Sequence, residues 1–335
     1  MRWRDALHQP DVTLWVTVLA VSGSAPREPG ARMAVQPDAC FDTIGGGHLE
    51  FQAIARARAL LQQGVTRHIE RFALGASLGQ CCGGVVWLLF ERWDAAQCGQ
   101  MQQALRGEHT VFRLQALHAD AAESAWGEVA SLRPLLPAAL HTALDQTDAP
   151  RCQWLQQGEQ QWLLERFPAC DFRIELFGAG HVARALLPLL ASLPCQVHWV
   201  DSREEMLPQC VPDNVDTEWL DDPVQRVAEA APGSFYLVMT HSHAEDQRLV
   251  EHILRRGDAA YCGLIGSRSK RQQFRQRLLR RGVSDAQWQA LTCPIGVAGI
   301  HSKQPAAIAI AVAAELLQRY EARQVQQQKR VQVQA

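Results

Sequence analysis

Two short stretches in the first third of the chain carry residues whose chemistry is not that of a folded core. Gly45-Gly46-Gly47-His48 stands where an apolar, β-type segment gives way to a helical pattern. Three residues without a Cβ leave backbone N–H groups that a ligand can approach closely. At a helix start such donors suit phosphate or another oxyanion; the alternative is a tight turn that needs positive φ. Further on, Cys81-Cys82 lies between Gly79-Gln80 and Gly83-Gly84. That pair admits three readings: ordinary buried thiols, a vicinal disulfide that senses redox state, or a thiolate site for a metal or for sulfur transfer. Arg27 and Glu50, on or beside these glycine turns, are candidates to line the same site.

A second group of candidates lies in the other half. Gly178-Ala179-Gly180-His181-Val182-Ala183 fits G-x-G-x-x-A between a strand and a helix, and Asp201 follows Gly180 by 21 residues at the end of the next strand. This pattern implies a tight turn, close approach to a pyrophosphate, and an acid on a ribose hydroxyl. It points to a Rossmann-like fold more firmly than to a nucleotide, since one fold hosts unrelated functions. His181 either faces a ligand or is a polar residue at the helix start. His241-Ser242-His243, with Asp246 beyond, ends another strand; it reads as a metal site or polar clamp, or as exposed histidines around a Ser242 helix cap. Gly266-Ser267-Arg268 ends the next, where Ser267 and Arg268 can meet an anion. The basic run over residues 268–281 reads as a solvated helix face.

The elements that position these residues follow from periodicity and turn chemistry. Strands are expected over residues 14–20, 32–35, 41–44, 69–74, 85–90 and 110–117, with helices over 48–63 and 95–106. Residues 23–30, with two prolines and two glycines, form a shaped loop. In the second half, strands at 174–177, 196–200, 235–240 and 261–265 alternate with helices, the pattern of a doubly wound parallel sheet. The expected fold class is α/β, with an N-terminal mixed α/β domain and a C-terminal Rossmann-like domain. The expected division is 1–118, a variable connecting segment with a β-hairpin over 119–168, the Rossmann-like domain over 169–323 and a disordered tail over 324–335.

At 335 residues and net charge −2, the composition gives no reason to expect nucleic acid or an anionic membrane as a bulk partner. No apolar run approaches the roughly 20 residues that span a bilayer, and Met1-Arg2-Trp3-Arg4-Asp5 opens onto a polar stretch, so a cytoplasmic location is expected. Ten cysteines without a C-x-x-C pair make neither a disulfide scaffold nor a structural zinc site.

Taken together, the motifs resemble the xanthine dehydrogenase accessory protein (XdhC/CoxI) family. The resemblance rests on Gly23-Ser24-Ala25-Pro26-Arg27-Glu28-Pro29-Gly30, Thr43-Ile44-Gly45-Gly46-Gly47-His48-Leu49-Glu50 and Leu78-Gly79-Gln80-Cys81-Cys82-Gly83-Gly84. In the second half it rests on Leu176-Phe177-Gly178-Ala179-Gly180-His181-Val182-Ala183, Met239-Thr240-His241-Ser242-His243, Gly263-Leu264-Ile265-Gly266-Ser267-Arg268 and Cys293-Pro294-Ile295-Gly296. It implies a chaperone, not an enzyme, for the molybdenum cofactor (molybdopterin). Such a protein holds the cofactor while a cysteine desulfurase replaces a molybdenum oxygen by sulfur, and delivers it to the molybdenum subunit of xanthine dehydrogenase. With the readings above, the candidate cofactor-binding residues are Arg27, Gly45, Gly46, Gly47, His48, Glu50, Gly178, Gly180, His181, Asp201, His241, His243, Ser267 and Arg268, and Cys81 and Cys82 are the candidate molybdenum ligands. A homo-oligomer is expected. The alternatives are an NAD(P)-dependent oxidoreductase built on Gly178 and Asp201, and a redox-sensing interaction protein built on the cysteine pair.

Overall fold

The computed structural model describes residues 3–74, 83–107, 109–117, 124–146 and 150–334, with side chains to residue 326. It divides into two compact units, Met1–Ala169 and Cys170–Ala335.

The first unit is built from two antiparallel sheets. Strands β1 (Leu14–Ser22), β2 (Arg32–Val35) and β3 (Cys40–Phe41) precede helix α1 (Gly47–Gln62); β4 (Arg67–Ala73) and β5 (Val85–Glu91) follow it. They form a five-stranded sheet of order β3-β2-β1-β5-β4. Helix α1 lays Leu49, Ala53, Ala57 and Leu60 against Val16, Met33, Leu88 and Phe90 of that sheet, at the i, i+4, i+8 spacing of one helix face. Helix α2 (Ala95–Arg106) follows, opened by an Asp94–Gln97 capping box and closed by Gly107 at φ 67°. Strands β6 (Val111–Ala116) and β7 (Ser124–Gly127), short helices α3 (Val129–Leu132) and α4 (Thr142–Asp145), then β8 (Cys152–Gln157) and β9 (Gln160–Phe167) complete the unit. The second sheet has the order β7-β6-β9-β8.

This corrects the expectation of a variable connector over residues 119–168. Strand β9 pairs with β6 from Val111 opposite Phe167 to Ala116 opposite Trp162, so the β8–β9 hairpin is integral to the first unit. A buried charge network also ties it in. Glu165 on β9 accepts from Arg32 of β2 (2.6 Å) and Arg113 of β6 (2.8 Å); Arg113 also grips Glu91 of β5 (2.8 Å), and Arg32 bonds the Thr17 hydroxyl (2.7 Å). Burial opposes the Glu165 charge, but Arg32 and Arg113 outweigh it and hold the carboxyl below its usual range. The Trp93 ring lies 4.9 Å from the Arg32 guanidinium and 5.2 Å from that of Arg113.

The second unit is a parallel sheet covered on both faces. Its strands are β10 (Arg173–Phe177), β11 (Gln196–Asp201), β12 (Val215–Trp219), β13 (Phe235–Val238), β14 (Tyr261–Leu264) and β15 (Leu291–Thr292), in the order β12-β11-β10-β13-β14-β15. The order reverses between β10 and β13, the place where such sheets bind ligands. Helices α5 (His181–Leu190) and α10 (Pro305–Gln334) cover one face with Ala183, Leu186, Ala309, Val312 and Leu316. Helices α6 (Val224–Glu229), α7 (His243–Arg256), α8 (Arg268–Arg280) and α9 (Asp285–Gln289) cover the other with Val227, Leu249, Ile253, Phe274 and Trp288. The expected disordered tail is instead the continuation of α10 to Gln334, built from Gln, Arg, Lys and Val after the apolar turns end. Among the described residues no helix is long and apolar enough to cross a membrane.

Among the described residues, removing Arg113 leaves buried Glu165 with Arg32 alone and buried Glu91 with only Arg67, at 3.9 Å. Arg113→Ala is expected to destabilise the first unit by about 3–5 kcal/mol, read as a lowered urea midpoint in a far-UV unfolding curve; an unchanged midpoint would show that water reaches Glu91 and Glu165.

Candidate functional site

In the first unit three glycine turns meet. The loop of residues 23–30 leaves β1 and returns to β2, with Gly30 N–H donating to Val18 O (2.8 Å). A Cβ placed on Gly23 would lie 3.2 Å from the Gly84 Cα, and one on Gly84 would lie 2.3 Å from the Ser24 carbonyl oxygen. A Cβ on Gly45 would lie 2.3 Å from the Pro26 Cβ and 3.4 Å from the Arg27 Cγ. So the proline-arginine loop is pressed between the end of the Cys-Cys-Gly-Gly stretch and the triple glycine, at distances that only Cβ-free backbone permits. Leu74 N–H donates to Gly84 O (2.8 Å). Cys81 and Cys82 themselves lie outside the described residues.

The triple glycine forms the expected turn, with φ of 119°, 73° and 67° and Gly46 as the cap of α1. Its donors, however, are largely taken. The Glu50 Oε2 accepts from the Thr43 hydroxyl (2.5 Å), Ile44 N–H (3.0 Å) and Gly46 N–H (3.0 Å), while Gly45 N–H donates to the Thr43 Oγ1 (2.9 Å). Glu50 was expected to line a cleft; instead one of its oxygens fills the concavity expected to hold an external oxyanion. Arg27 is paired with Glu28 (3.2 Å), whose hydrogen bond raises the guanidinium above its ordinary value. His48 is exposed and bonds Gln52 across one turn (3.0 Å) beside Phe51, which is 69% exposed. A cavity of about 700 Å³ in the same unit, lined by Phe112, Val129, Arg133, Leu144 and Arg166, includes none of these residues.

The C-terminal edge of the parallel sheet holds the second set. Because β10, β13 and β14 are neighbours, the turns that follow them lie side by side. Gly178, at φ 106°, is packed so closely that a Cβ would lie 2.3 Å from the Met239 carbonyl oxygen. Gly180 caps α5 at φ −76° and a Cβ there would meet nothing within 4 Å. His181, the first residue of α5, is exposed. His241 and His243 are exposed around Ser242, which caps α7 through Glu245 N–H (3.4 Å). Ser267 caps α8 through Lys270 N–H (3.2 Å), and Arg268 is exposed. Among the described residues no three His, Cys, Asp or Glu side chains are grouped to hold a metal.

Asp201 corrects the sequence reading. It was expected to face a ribose; it is 2% exposed and both oxygens are engaged. Oδ2 accepts from Ala179 N–H (2.5 Å) and the Arg203 guanidinium (3.0 Å), and Oδ1 from Arg203 N–H and Nε (each 2.9 Å). Burial alone would raise this carboxyl, but the hydrogen bonds from Arg203 and Ala179 outweigh it and hold it below its usual range.

Sequence reasoning missed Lys270, which was assigned to a solvated helix face. Its ammonium is buried against Asp246 (2.5 Å) and Ile265 O (2.9 Å), and Asp246 also accepts from the Thr240 hydroxyl (2.8 Å) and N–H (3.0 Å). These bonds lock the turn after β13 to the turn after β14. The signal was present: Lys270 is one of three lysines among 33 basic residues, so a lysine here departs from the chain's preference for arginine. Most of the scattered cysteines are inert. Burial pushes the thiols of Cys98 and Cys262 up to about 12 and that of Cys293 to about 11, so they remain protonated at neutral pH.

The chain is thus an antiparallel α/β unit followed by a Rossmann-type unit, with glycine turns at the candidate sites of both. Residues 7–73 match the model of the XdhC and CoxI family and residues 174–316 that of the XdhC Rossmann domain; the chain belongs to the XdhC and CoxI family. Over 150 residues it is 31% identical to the uncharacterized protein YqeB of Escherichia coli (strain K12). That match takes in 44% of this chain and 27% of YqeB, so the chain spans about a quarter of the length of that curated relative. A crystal structure described as a xanthine dehydrogenase from Bacillus halodurans superposes with a TM-score of 0.64 at 21% identity, covering 96% of this chain and 97% of that one. At that identity the likeness is one of fold.

Two expectations follow. Gly178→Ala and Gly45→Ala, each with positive φ and an atom 2.3 Å from the new Cβ, should destabilise by at least about 2 kcal/mol, whereas Gly180→Ala should cost under about 1 kcal/mol. Equal melting temperatures for Gly178→Ala and Gly180→Ala would contradict the packing. Since Asp201 is held below its ordinary value, its stabilisation is full above about pH 4 and is lost as pH falls through the depressed value. The stability gap between wild type and Asp201→Asn should therefore narrow as urea titrations are taken below pH 4; a gap independent of pH would exclude the ion pair as its source.

Proposed function

We propose that this protein takes part in xanthine dehydrogenase maturation as a carrier of the molybdenum cofactor. In this reading it binds the cofactor, holds it while a cysteine desulfurase exchanges a molybdenum oxygen for sulfur, and passes it to the molybdenum subunit of xanthine dehydrogenase. Membership of the XdhC and CoxI family supports the maturation role. The observation that supports the binding role is the convergence of the 23–30 loop, the triple glycine and Gly84, which follows Cys82 by two residues in the sequence.

The residues present fit such a cargo unevenly, and the difference is informative. The turn at Gly180 has open space, an exposed His181 and the N-terminus of α5, so it suits the cofactor's phosphate. The triple glycine suits it only after Glu50 yields, so Gly45, Gly46 and Gly47 are assigned to shaping the site. His241, His243, Ser267 and Arg268 flank the Gly180 turn on neighbouring strand ends and complete a polar rim. In the first unit, Cys81 and Cys82 are assigned as soft thiolates of the kind that suits a dithiolene-bound metal. The oxidoreductase reading is disfavoured, because a carboxylate already bonded through both oxygens has no acceptor left for a ribose hydroxyl.

Incubation with molybdenum cofactor followed by gel filtration should leave molybdenum and pterin with the protein. Cys82→Ala and Gly180→Ala should each reduce retention about tenfold, while Cys98→Ala should not; NAD(H) should give no heat in calorimetry. Absence of co-eluting pterin would sink the proposal, and equal retention by Cys82→Ala and Cys98→Ala would remove the thiol from it.

A further inference from the structure

The second unit carries opposite charge at its two edges. Strand β12 is the edge strand on one side, and the stretch that enters and leaves it, residues 201–222, holds eight acids and one arginine. Setting aside the buried Asp201–Arg203 pair leaves seven acids and no cation. His198 engages Glu218 and Arg248 engages Asp222 (2.8 and 2.7 Å). Glu204, Glu205, Asp216 and Asp221 remain exposed, with no ion pair among the described residues. At the end of β12 the Trp219 side chain is 47% exposed, although tryptophan is a residue that folding normally buries.

The other edge is the reverse. Residues 268–281, which include α8, hold seven cations and no acid. Lys270 is buried on Asp246, Arg275 is paired with Asp285 and Arg281 with Glu251. Arg268, Arg277 and Arg280 are exposed with no carboxylate partner among the described residues; Arg277 reaches only the Gln247 amide. Helix α8 follows β14, near the far edge of a six-stranded sheet whose neighbouring strands are spaced about 4.8 Å apart, so one unit cannot bring its two edges together.

We propose that the β12 edge is a docking surface for the arginine-bearing face of α8 in a second copy of this chain. An exposed indole on an edge that also bears unpaired carboxylates is matched to guanidinium groups, which stack on a ring face and bond carboxylates. This chain itself supplies such a helix, and charges left without a counterion on one edge answer those on the other. The acids also deter direct strand addition to the β12 edge, so the contact is made by side chains and leaves the edge backbone unpaired. The surface goes beyond the carrier role and does not depend on it.

Screening by salt sets the test, since exposed pairs weaken as the Debye length falls. Sedimentation velocity of the full chain should show concentration-dependent association in 50 mM NaCl that weakens at least about tenfold in 500 mM NaCl. Arg277→Glu/Arg280→Glu and, separately, Glu204→Arg/Glu205→Arg/Asp216→Arg should each lose self-association while keeping the wild-type circular dichroism spectrum. Mixing the two reversed variants should restore it, because the acidic edge and helix of one then meet the basic helix and edge of the other; placing both sets of reversals in one chain should restore it as well. Trp219→Ala should weaken association without altering its salt dependence. A monomer at every salt concentration, association unchanged by the reversals, or failure of the combined variant to associate would each overturn the proposal.

Discussion

Two backbones can approach within the radius of a methyl group only where a Cβ is missing, and both candidate sites depend on that constraint. Gly45 under Pro26, Gly84 on the Ser24 carbonyl and Gly178 on the Met239 carbonyl each occupy a place that alanine would fill with a clash. In the first unit the consequence is that three loops from different parts of the sequence share one small volume. In the second it is that the turns after β10 and β13 abut where the strand order reverses. Gly180 differs from these three: a Cβ there would meet nothing, so the space at the N-terminus of α5 is open.

A second regularity joins the units. The turns that sequence alone would offer to an anion hold carboxylates of the chain itself. Glu50 sits in the triple glycine, Asp201 under the Gly-x-Gly turn and Asp246 under the turn after β13. Each accepts backbone N–H groups that would otherwise lack partners, and Asp201 and Asp246 add a cation, Arg203 and Lys270. The preorganised shape is therefore maintained from within. What remains for an external ligand is the exposed layer above it: His181, His241, His243 and Arg268.

The parallel sheet was legible because its strands are short apolar runs that stop at glycine or polar turns, and because Gly178, Gly180 and Asp201 keep a spacing that few other folds require. The β8–β9 hairpin was legible from two Trp-Leu segments around Gly158, but its membership in the first unit was not. That depends on Glu165 meeting Arg32 and Arg113, partners 133 and 52 residues distant, and no local pattern encodes such a pairing. The role of Asp201 was misread for a related reason. A motif specifies where an acid stands, while the arginine two residues later decides whether its oxygens are free. Lys270 was hidden inside a basic run whose other members do lie largely at the surface.

The position of α10 in the chain has a consequence for synthesis. Ala309, Val312 and Leu316 close a core whose other walls come from residues 172–261, and they are the last of its members to be made. At ribosomal rates of about 5–20 residues per second, roughly 3 to 10 s pass between the completion of β14 and the arrival of Leu316. During that interval the part of this core that α10 covers, with Phe172 beneath Tyr320, lacks its cover, while all of the first unit has been made. A nascent chain halted in that window exposes a sticky sheet beside a finished domain, so the final helix governs how much of each newly made molecule escapes aggregation.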